Sequence, residues 1–389
     1  MRLAIIADPH VDCGVHGRFD VKVGMNSRTR EFLSVLRWIV DYVRREVDGI
    51  VVVGDLFDSV HPPLDVIHEV RGVLESSGVP VWIVGGNHDQ PGIHGRTSPN
   101  DLVTSANVRS IRGISQFHIE PSLIAVSFPI PGEYLTAEEM RLPTDEKERL
   151  VVGKILDELR PNGGPGTFVF GHLSIAGSIV GPDQRGAILD YEFPPIALKE
   201  IGFSKVFLGH VHPPQEFLDD SIVYVGSCVV PEFGQEYVPG FALAEIDKDG
   251  LCRWTRVEVP EEVGRRPKSR FIMSNDPQTD TMGEPPIEPE ELLELLDSMG
   301  ESGDLIRFRI HCNRDLRSRT PEVKIRQALS KYSKAIIIWE HPEEEKNEKV
   351  EFDGEIKPEE MVGEWLGLQS LSNERRERVR EIALEIMRG

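Results

Sequence analysis

The chain has 389 residues, enough to bury a sizeable core and to divide into two or three domains, and it carries a formal charge of −21. That charge excludes indiscriminate nucleic-acid binding, because phosphate attraction needs positive surface and any such contact must be local. No stretch approaches the roughly 20 consecutive apolar residues of a membrane span, so no membrane partner is expected, and Cys13, Cys228, Cys252 and Cys312 show neither zinc-site nor disulfide-framework spacing.

The first apolar run, residues 3–7, is too short for a signal peptide and ends in Asp8-Pro9-His10, so a cytoplasmic protein is expected. Through about residue 260, apolar runs at 3–7, 49–53, 79–84, 167–170 and 205–208 alternate with amphipathic segments, the pattern of a layered α/β domain. The spacing predicts helices over 28–46 and 64–77, the second through Leu64, Ile67, Val70, Val73 and Leu74. Strands are predicted at 222–230 and 241–246, the latter closed by Asp247-Lys248-Asp249-Gly250.

A stretch rich in Pro and acidic residues, 260–291, marks the best domain boundary, with a short strand candidate at 269–273 inside it. Beyond it, a helix at 289–299, a strand at 305–310, a helix at 321–331 and a strand at 335–339 predict a small α/β module. A charged linker runs from 341 to 358, and helices are expected at 358–367 and 373–388. The expected domains are therefore 1–263, 264–345, and a linker with a helical tail over 346–389.

Five times an apolar run ends in Gly or Ala followed by a metal-competent side chain: Ala7-Asp8-Pro9-His10, Gly54-Asp55, Gly86-Asn87-His88-Asp89, Gly171-His172 and Gly209-His210-Val211-His212. Parallel strands present their carboxyl ends to one crevice, so residues distant in sequence converge there. A glycine before a ligand lets the backbone approach closely. Any one of these pieces alone is more often a capped strand end or a satisfied histidine. Together, three oxygen donors and four imidazoles are too many for one ion, and two ions sharing one carboxylate, Asp55, fit better. Such a pair activates a water between its ions and stabilises charge on a phosphoryl group. Oxygen and nitrogen donors without a thiolate suit manganese, iron or magnesium, and zinc is compatible.

This series, with Gly54-Asp55-Leu56-Phe57-Asp58, resembles the calcineurin-like metallophosphoesterases, and within them the SbcD and Mre-eleven branch, the nuclease subunits of the break-repair nuclease and ATPase complex. The resemblance implies a two-sheet αββα sandwich with a small α/β capping domain and a helical C-terminal tail. It implies that Asp8, His10, Asp55 and His212 hold one ion and Asp55, Asn87, His172 and His210 the other. His88 would face the scissile phosphate, stabilising the transition state or protonating the departing oxygen, and Asp89 would orient His88. Break-repair relatives typically carry a second catalytic histidine where this chain has Asp58, which suggests a supporting role for Asp58 beside the metals. His61, next to Pro62-Pro63, reads as a surface histidine.

The metal motifs are shared by phosphatases and nucleases. More discriminating is the stretch from Tyr224 to Ile246, with Glu232-Phe233-Gly234-Gln235-Glu236, which resembles the end of the nuclease domain in the SbcD-like branch. Between Leu305 and Lys334 there are nine basic residues against two acidic ones, a local phosphate-binding candidate. Alternation puts Arg307 and Arg309 on one strand face, with Arg314, Arg317 and Arg319 in an expected loop; a solvated face balanced by flanking acids explains them as well.

In the last helix Val379, Ile382, Ala383, Ile386 and Met387 form one apolar stripe, and Met361, Val362, Trp365 and Leu366 sit in the helix before it. The resemblance implies that this tail binds the coiled coil of an SbcC-like ATPase and that the chain forms a homodimer through helices near 64–77, although core packing explains that stripe equally. The expected function is exonuclease action on double-stranded DNA ends and endonuclease action on single strands in DNA repair, nucleoid-associated when on DNA. The rivals are a small-molecule phosphodiesterase or phosphatase of the same fold, and a non-catalytic DNA-end-binding scaffold.

Overall fold

The computed structural model describes residues 1–93, 95–181, 191–235, 237–274, 287–312 and 314–340. The linker and tail expected at 346–389, Glu236 and part of the Pro-rich boundary lie outside the described residues. The chain opens with β1 (Arg2–Ile6), a short hairpin pairing Phe19–Asp20 with Met25–Asn26, and α1 (Ser27–Val43). There follow β2 (Gly49–Val53), α2 (Leu64–Glu75), β3 (Val81–Val84), β4 (Val108–Ile111), β5 (Ile114–His118) and β6 (Ser122–Val126). Next come α3 (Thr144–Leu159), β7 (Thr167–His172), α4 (Pro195–Ile201), β8 (Lys205–Gly209), β9 (Gln215–Phe217), β10 (Ile222–Tyr224), β11 (Gly240–Ile246) and β12 (Cys252–Glu258).

These strands form two six-stranded sheets, ordered β12-β11-β1-β2-β3-β4 and β9-β10-β8-β7-β6-β5. In the first sheet β1 to β4 are parallel, and β11 and β12 close one edge antiparallel; in the second the four inner strands are parallel, and β9 and β5 close the edges antiparallel. Period-two alternation explains the layering, because each inner strand is apolar on both faces. Leu3, Ile5, Val51, Val53, Phe168, Phe170 and Phe207 meet between the sheets. Ala4, Ile6, Ile50 and Val52 face the other way, onto Phe32, Leu36 and Ile39 of α1 and Val66, Val70 and Leu74 of α2. Val169, Val206 and Leu208 pack likewise on Ile155 and Leu159 of α3. The result is the αββα sandwich.

Of the α2 stripe, Ile67, Val70, Val73 and Leu74 are therefore occupied by the chain's own core, while Leu64 is exposed. The strand predicted at 222–230 stops at Tyr224, because Gly226 turns with φ 79° and Ser227 then pairs with Ala7 of the other sheet. The helix predicted at 321–331 spans only Glu322–Ala328.

The small module has its own core and a three-stranded parallel sheet, β13 (Lys268–Met273), β14 (Leu305–His311) and β15 (Lys334–Glu340), with β14 in the middle. Helices α5 (Pro289–Ser298), α6 (Arg314–Arg319) and α7 (Glu322–Ala328) cover one face of it. Residues Met1–Glu340 make one compact unit. Arg265 joins its parts: the Arg265 amide and Nη2 each donate to Glu31 of α1 at 2.9 Å, and Nη1 donates to the Gly303 carbonyl at 3.0 Å.

Phe170 stacks on Phe207 between the two sheets, 5.6 Å apart and 19° from parallel. Phe170→Ala is expected to destabilise the fold by about 3–5 kcal/mol through the cavity it leaves. A urea midpoint unchanged from the parent chain would show that this layer is not packed as described.

Candidate metal centre

All five ligand-bearing segments arrive at one place, but from two sheets rather than one. β1, β2 and β3 of the first sheet deliver Asp8, Asp55 and Asn87, while β7 and β8 of the second deliver His172 and His210. The backbone at the ligands is unusual: Asp8, His10, Asp55 and His210 have φ of 49°, 43°, 47° and 92°. Non-glycine residues rarely adopt that region, and they cluster at functional sites when they do.

Two groups of buried side chains result. Asp8, His10 and His212 form one, and Asp55, His172 and His210 the other, each with ligand atoms within 4.8 Å of one another. Asp55 stands between them, its Oδ2 lying 3.2 Å from His172 Nε2 and 3.8 Å from His10 Nε2. Asn87 Oδ1 completes the second group, 2.9 Å from both His172 Nε2 and His210 Nδ1. His10 Nε2 and His212 Nε2 approach to 3.2 Å.

The hydrogen bonds around the rings suit ligation. His172 Nδ1 donates to the Val53 carbonyl at 2.9 Å, and His10 Nδ1 lies 3.1 Å from Asp58 Oδ1. In each, Nε2 faces the cluster, and loss of its proton would leave a lone pair there, as a metal-binding imidazole requires. Asp8 Oδ2 is buried with no hydrogen-bond partner, a costly state for a carboxylate that a cation would relieve.

His88 occupies the mouth, with 41% of its side chain exposed. Its amide donates to Asp55 Oδ1 at 2.9 Å, and its Nδ1 donates to the Asp58 carbonyl at 3.0 Å. Asp89 was expected to orient His88, and the structure gives it other partners. Its buried carboxylate accepts the Gly86 and Leu56 amides, both at 2.8 Å, and so braces the loops after β3 and β2. The residue that bonds the His88 ring is Asp58, whose own loop is clamped by Asp12: Asp12 accepts from the Asp58 amide at 2.5 Å and from Ser59 Oγ at 2.8 Å. Asp12 was not singled out in the sequence, and Gln235, whose Nε2 lies 3.3 Å from His212 Nδ1, was named only as part of the Glu232–Glu236 stretch, with no role at the centre. Asp12 follows His10 by two residues, within the first motif, and that was the only signal for it. His61 is exposed, as expected.

The five arginines singled out in the small module, Arg307, Arg309, Arg314, Arg317 and Arg319, are not gathered at this cluster. Arg307 lies over the Phe233 ring at 5.2 Å, and Phe233 belongs to the loop that carries Gln235. Arg309 is paired with Glu340 at 2.6 Å, on the same strand face as Arg307. Arg314, Arg317 and Arg319 lie on a short helix, α6, not in a loop, because Leu316 anchors one side in the core and Asp315 pairs with Arg319 one turn later at 2.7 Å. Arg319 also bonds Glu288 at 2.7 Å, and Arg317 lies over Trp339 at 5.6 Å.

The model of the calcineurin-like phosphoesterase family matches residues 1–214, more than half of the chain and every ligand named above. The chain belongs to that family. Two curated relatives are named as the SbcD component of the nuclease SbcCD. The one from Bacillus subtilis is 31% identical over 163 residues, 41% of this chain and 38% of the relative. The one from Staphylococcus saprophyticus is 24% identical over 228 residues, 51% of this chain and 55% of the relative. The chain thus spans about half, or less, of the length of the curated relatives it matches. Among solved structures, a dimetal phosphatase from Danio rerio is similar at 15% identity, over 63% of this chain and 92% of that one, with a TM-score of 0.39; the fold assignment rests instead on the family match and the sheets described above. Among the described residues, no helix is long and apolar enough to cross a membrane.

The electrostatics of this phosphoesterase centre are those of a site built around positive charge. Burial pushes Asp8 up to about 6, against the pull of His172. Burial opposes the Asp55 anion too, yet His172, His88 and His10 hold it well below the usual carboxylate range. Burial works to lower His10, but Asp58, Asp55 and Asp8 outweigh it and hold the ring at about 9. His172 is likewise raised to about 9, by Asp55 and Asp8 against burial. His210 is lowered to about 3 by burial and by His172, and His212 falls well below its ordinary value through burial and His10. Protons on two imidazoles thus balance the carboxylates, and cations bound here would replace them.

Cations that bind only the folded chain raise its stability. Dialysis against chelator is expected to lower the melting temperature, and added Mn²⁺ at about 100 times its dissociation constant to restore about 2.7 kcal/mol per site. In Asp55→Asn most of that restoration is expected to vanish, because both groups lose a shared ligand. A melting temperature indifferent to chelation and to added Mn²⁺ would speak against a metal centre here.

Proposed function

We propose that this chain is a metal-dependent DNA nuclease of the SbcD kind, trimming double-stranded ends and cutting single strands. Hydrolysis is supported by one observation above the others: two buried donor groups that meet at Asp55, with half-exposed His88 beside them. DNA as the substrate is supported by the names of the matched relatives and by the stretch from Leu305 to Lys334, where nine basic residues stand against two acidic ones.

In this reading Asp8, His10, Asp55 and His212 hold one divalent ion and Asp55, Asn87, His172 and His210 a second, with Mn²⁺ the ion the donor set suits best. When bound, the pair supplies positive charge for the phosphodiester and lowers the pKa of the attacking water. The chain's own residues do the positioning. Asp58 fixes the His10 ring through its carboxylate and the His88 ring through its carbonyl. With Nδ1 held, His88 presents Nε2 to the scissile phosphate, where it stabilises charge or delivers a proton to the departing oxygen. Asp89 acts on the same step at one remove, by fixing the loop that carries His88.

The small module, in the 264–345 region, acts as a cap that helps place DNA over the catalytic domain. Arg307, on the Phe233 side of its sheet, is the best placed of its arginines; Arg309, Arg314, Arg317 and Arg319 extend the basic surface. The assembly we propose is a homodimer that works with an SbcC-like coiled-coil ATPase, bound through the helices expected at 358–388. A dimer contact on α2 would use its exposed side, where Leu64 is 79% exposed, since the rest of the apolar stripe is buried.

The test is a Mn²⁺-dependent cleavage assay on double-stranded, single-stranded and hairpin DNA. His88→Ala is expected to reduce cleavage by at least about 100-fold while metal content stays at the parent level, since His88 is assigned no metal. Equal loss of metal in that variant would refute the division of roles. Intact DNA in the presence of a loaded centre that still hydrolyses a nitrophenyl phosphodiester would replace the nuclease reading with that of a small-molecule phosphodiesterase.

A further inference from the structure

Between the Phe19–Asn26 hairpin, the start of α1 and the small module lies a cleft of about 600 Å³. Five cationic side chains line it, Arg18, Lys22, Arg28, Arg30 and Arg265, against one carboxylate, Asp20. That concentration stands out in a chain of net charge −21, since clefts lined by one sign of charge gather the opposite ion.

The cations are not equally engaged. Arg28 and Arg265 share Glu31 at 3.0 and 2.9 Å, and Arg30 lies 3.5 Å from Asp20. Arg18 and Lys22 are exposed, and among the described residues no carboxylate partner holds either side chain. Arg28 is 1% exposed, and its Nε has no hydrogen-bond partner. The cleft also takes in Ser27, at the N-terminus of a 17-residue helix with no acidic residue in its first turn, so the helix adds positive potential to that of the side chains.

One wall is aromatic. Phe19 lines the cleft and is 65% exposed, and an exposed ring among cations is the arrangement on which bases stack. The cleft is also one loop from the metal centre. His16, another lining residue, bonds Glu232 at 2.8 Å and packs on Phe233 at 4.6 Å, and Gln235 of the same loop reaches His212.

We propose that this cleft binds one nucleotide unit, its phosphate held by Arg18, Lys22 and Arg30 and its base stacked on Phe19. The inference rests on the DNA reading above and gives it a subsite. The unit is either part of a strand lying across the centre or a released mononucleotide; both present a phosphate and a planar base.

The test uses the full chain with chelator present, so that nothing is cut, and measures binding of a short labelled oligothymidylate and of thymidine 5′-monophosphate. Arg18→Glu with Lys22→Glu is expected to weaken oligonucleotide binding and to flatten its salt dependence by about 1.4, two contacts at about 0.7 each for a single strand. Phe19→Ala is expected to weaken binding by at least about fivefold with the salt slope unchanged. Monophosphate binding with the same dependence on these residues identifies the released nucleotide as the occupant, and oligonucleotide binding alone identifies the strand; either supports the proposal. Unchanged affinity and slope in both variants would overturn it even if the parent chain cuts DNA. Binding that depends on these residues in a chain that cuts no DNA would leave the cleft standing and remove the nuclease reading.

Discussion

The space beside Gly54 is filled by an imidazole. A Cβ at that position would run into the His172 ring, and a Cβ at Gly86 would run into the Asp55 carboxylate. The missing side chain at Gly54 lets the carboxyl ends of two separate sheets close to ligand distance, and the one at Gly86 lets the ends of β2 and β3 do so within one sheet; the other properties of the centre follow from that approach. A side chain at Gly54 would hold β2 and β7 further apart, and one at Gly86 would displace the Asp55 carboxylate; in either case Asp55 could not serve both donor groups. Gly54 also has φ 91°, a conformation open to glycine at no steric cost. The neighbouring Asp55 and Asp8, which take positive φ without that freedom, store backbone strain of order 1–3 kcal/mol each. Strain of that size persists only where the surrounding packing over-determines it, and the flanking strands β1 and β2 are buried along nearly their whole length.

Closeness creates an electrostatic problem that the same residues answer. Asp8 and Asp55 are 0% and 2% exposed, and ionised carboxylates in such surroundings require partners. His10 and His172 supply positive charge when protonated, while His210 and His212 are held neutral by burial and by those same rings. A neutral imidazole is a ligand and a protonated one is a counter-ion, so the four histidines divide between two duties until cations take over the second. Asp89 is also buried and is pushed up to about 6 by burial and by Asp55. Its hydrogen bonds run to the backbone of the two loops that carry Asp55 and His88. Its part is mechanical, keeping those loops together against the repulsion of the charges they bear.

Much of this centre was legible in the sequence, for a physical reason. A buried parallel strand is a run of apolar residues, and where the run stops the chain leaves the sheet at an edge. Five runs each ending in a small residue and a metal-competent one therefore state both location and chemistry. The two-group division of Asp8, His10, His212 from Asp55, His172, His210 followed from family resemblance, and the geometry groups the same residues. What local pattern could not supply was pairing across sequence distance. Asp89 adjoins His88 in the chain, yet at consecutive positions the side chains diverge, and the contact fell to Asp58, thirty residues earlier. The helix at Arg314–Arg319 escaped notice because six polar-rich residues with one apolar anchor show no helical period. The strand expected to run to 230 ended early because Gly226 redirects the chain, and a turn is invisible to hydrophobicity alone.

In the nuclease reading proposed above, the distribution of cations bears on how an acidic chain would meet an acidic polymer. Arg309 and Arg319 are held by Glu340, Asp315 and Glu288, in solvent-screened pairs that contribute little. Pairs that weak yield to a phosphate, whose hydrogen bonds to arginine are bidentate and charge-assisted. The acids nevertheless have an effect, since they cancel the long-range field of the module and leave its arginines active only at contact. Arg265 differs in kind. Glu31, to which it is bound, is only 8% exposed at its side chain, and Arg28 occupies the other side of the same carboxylate. Removing one member of that triad would strand a buried charge, which costs far more than an exposed pair contributes. The module's exposed cations are thus free to exchange carboxylate for phosphate, while the one that ties it to α1 is not, so contact with an anion can rearrange the surface without loosening the joint beneath it.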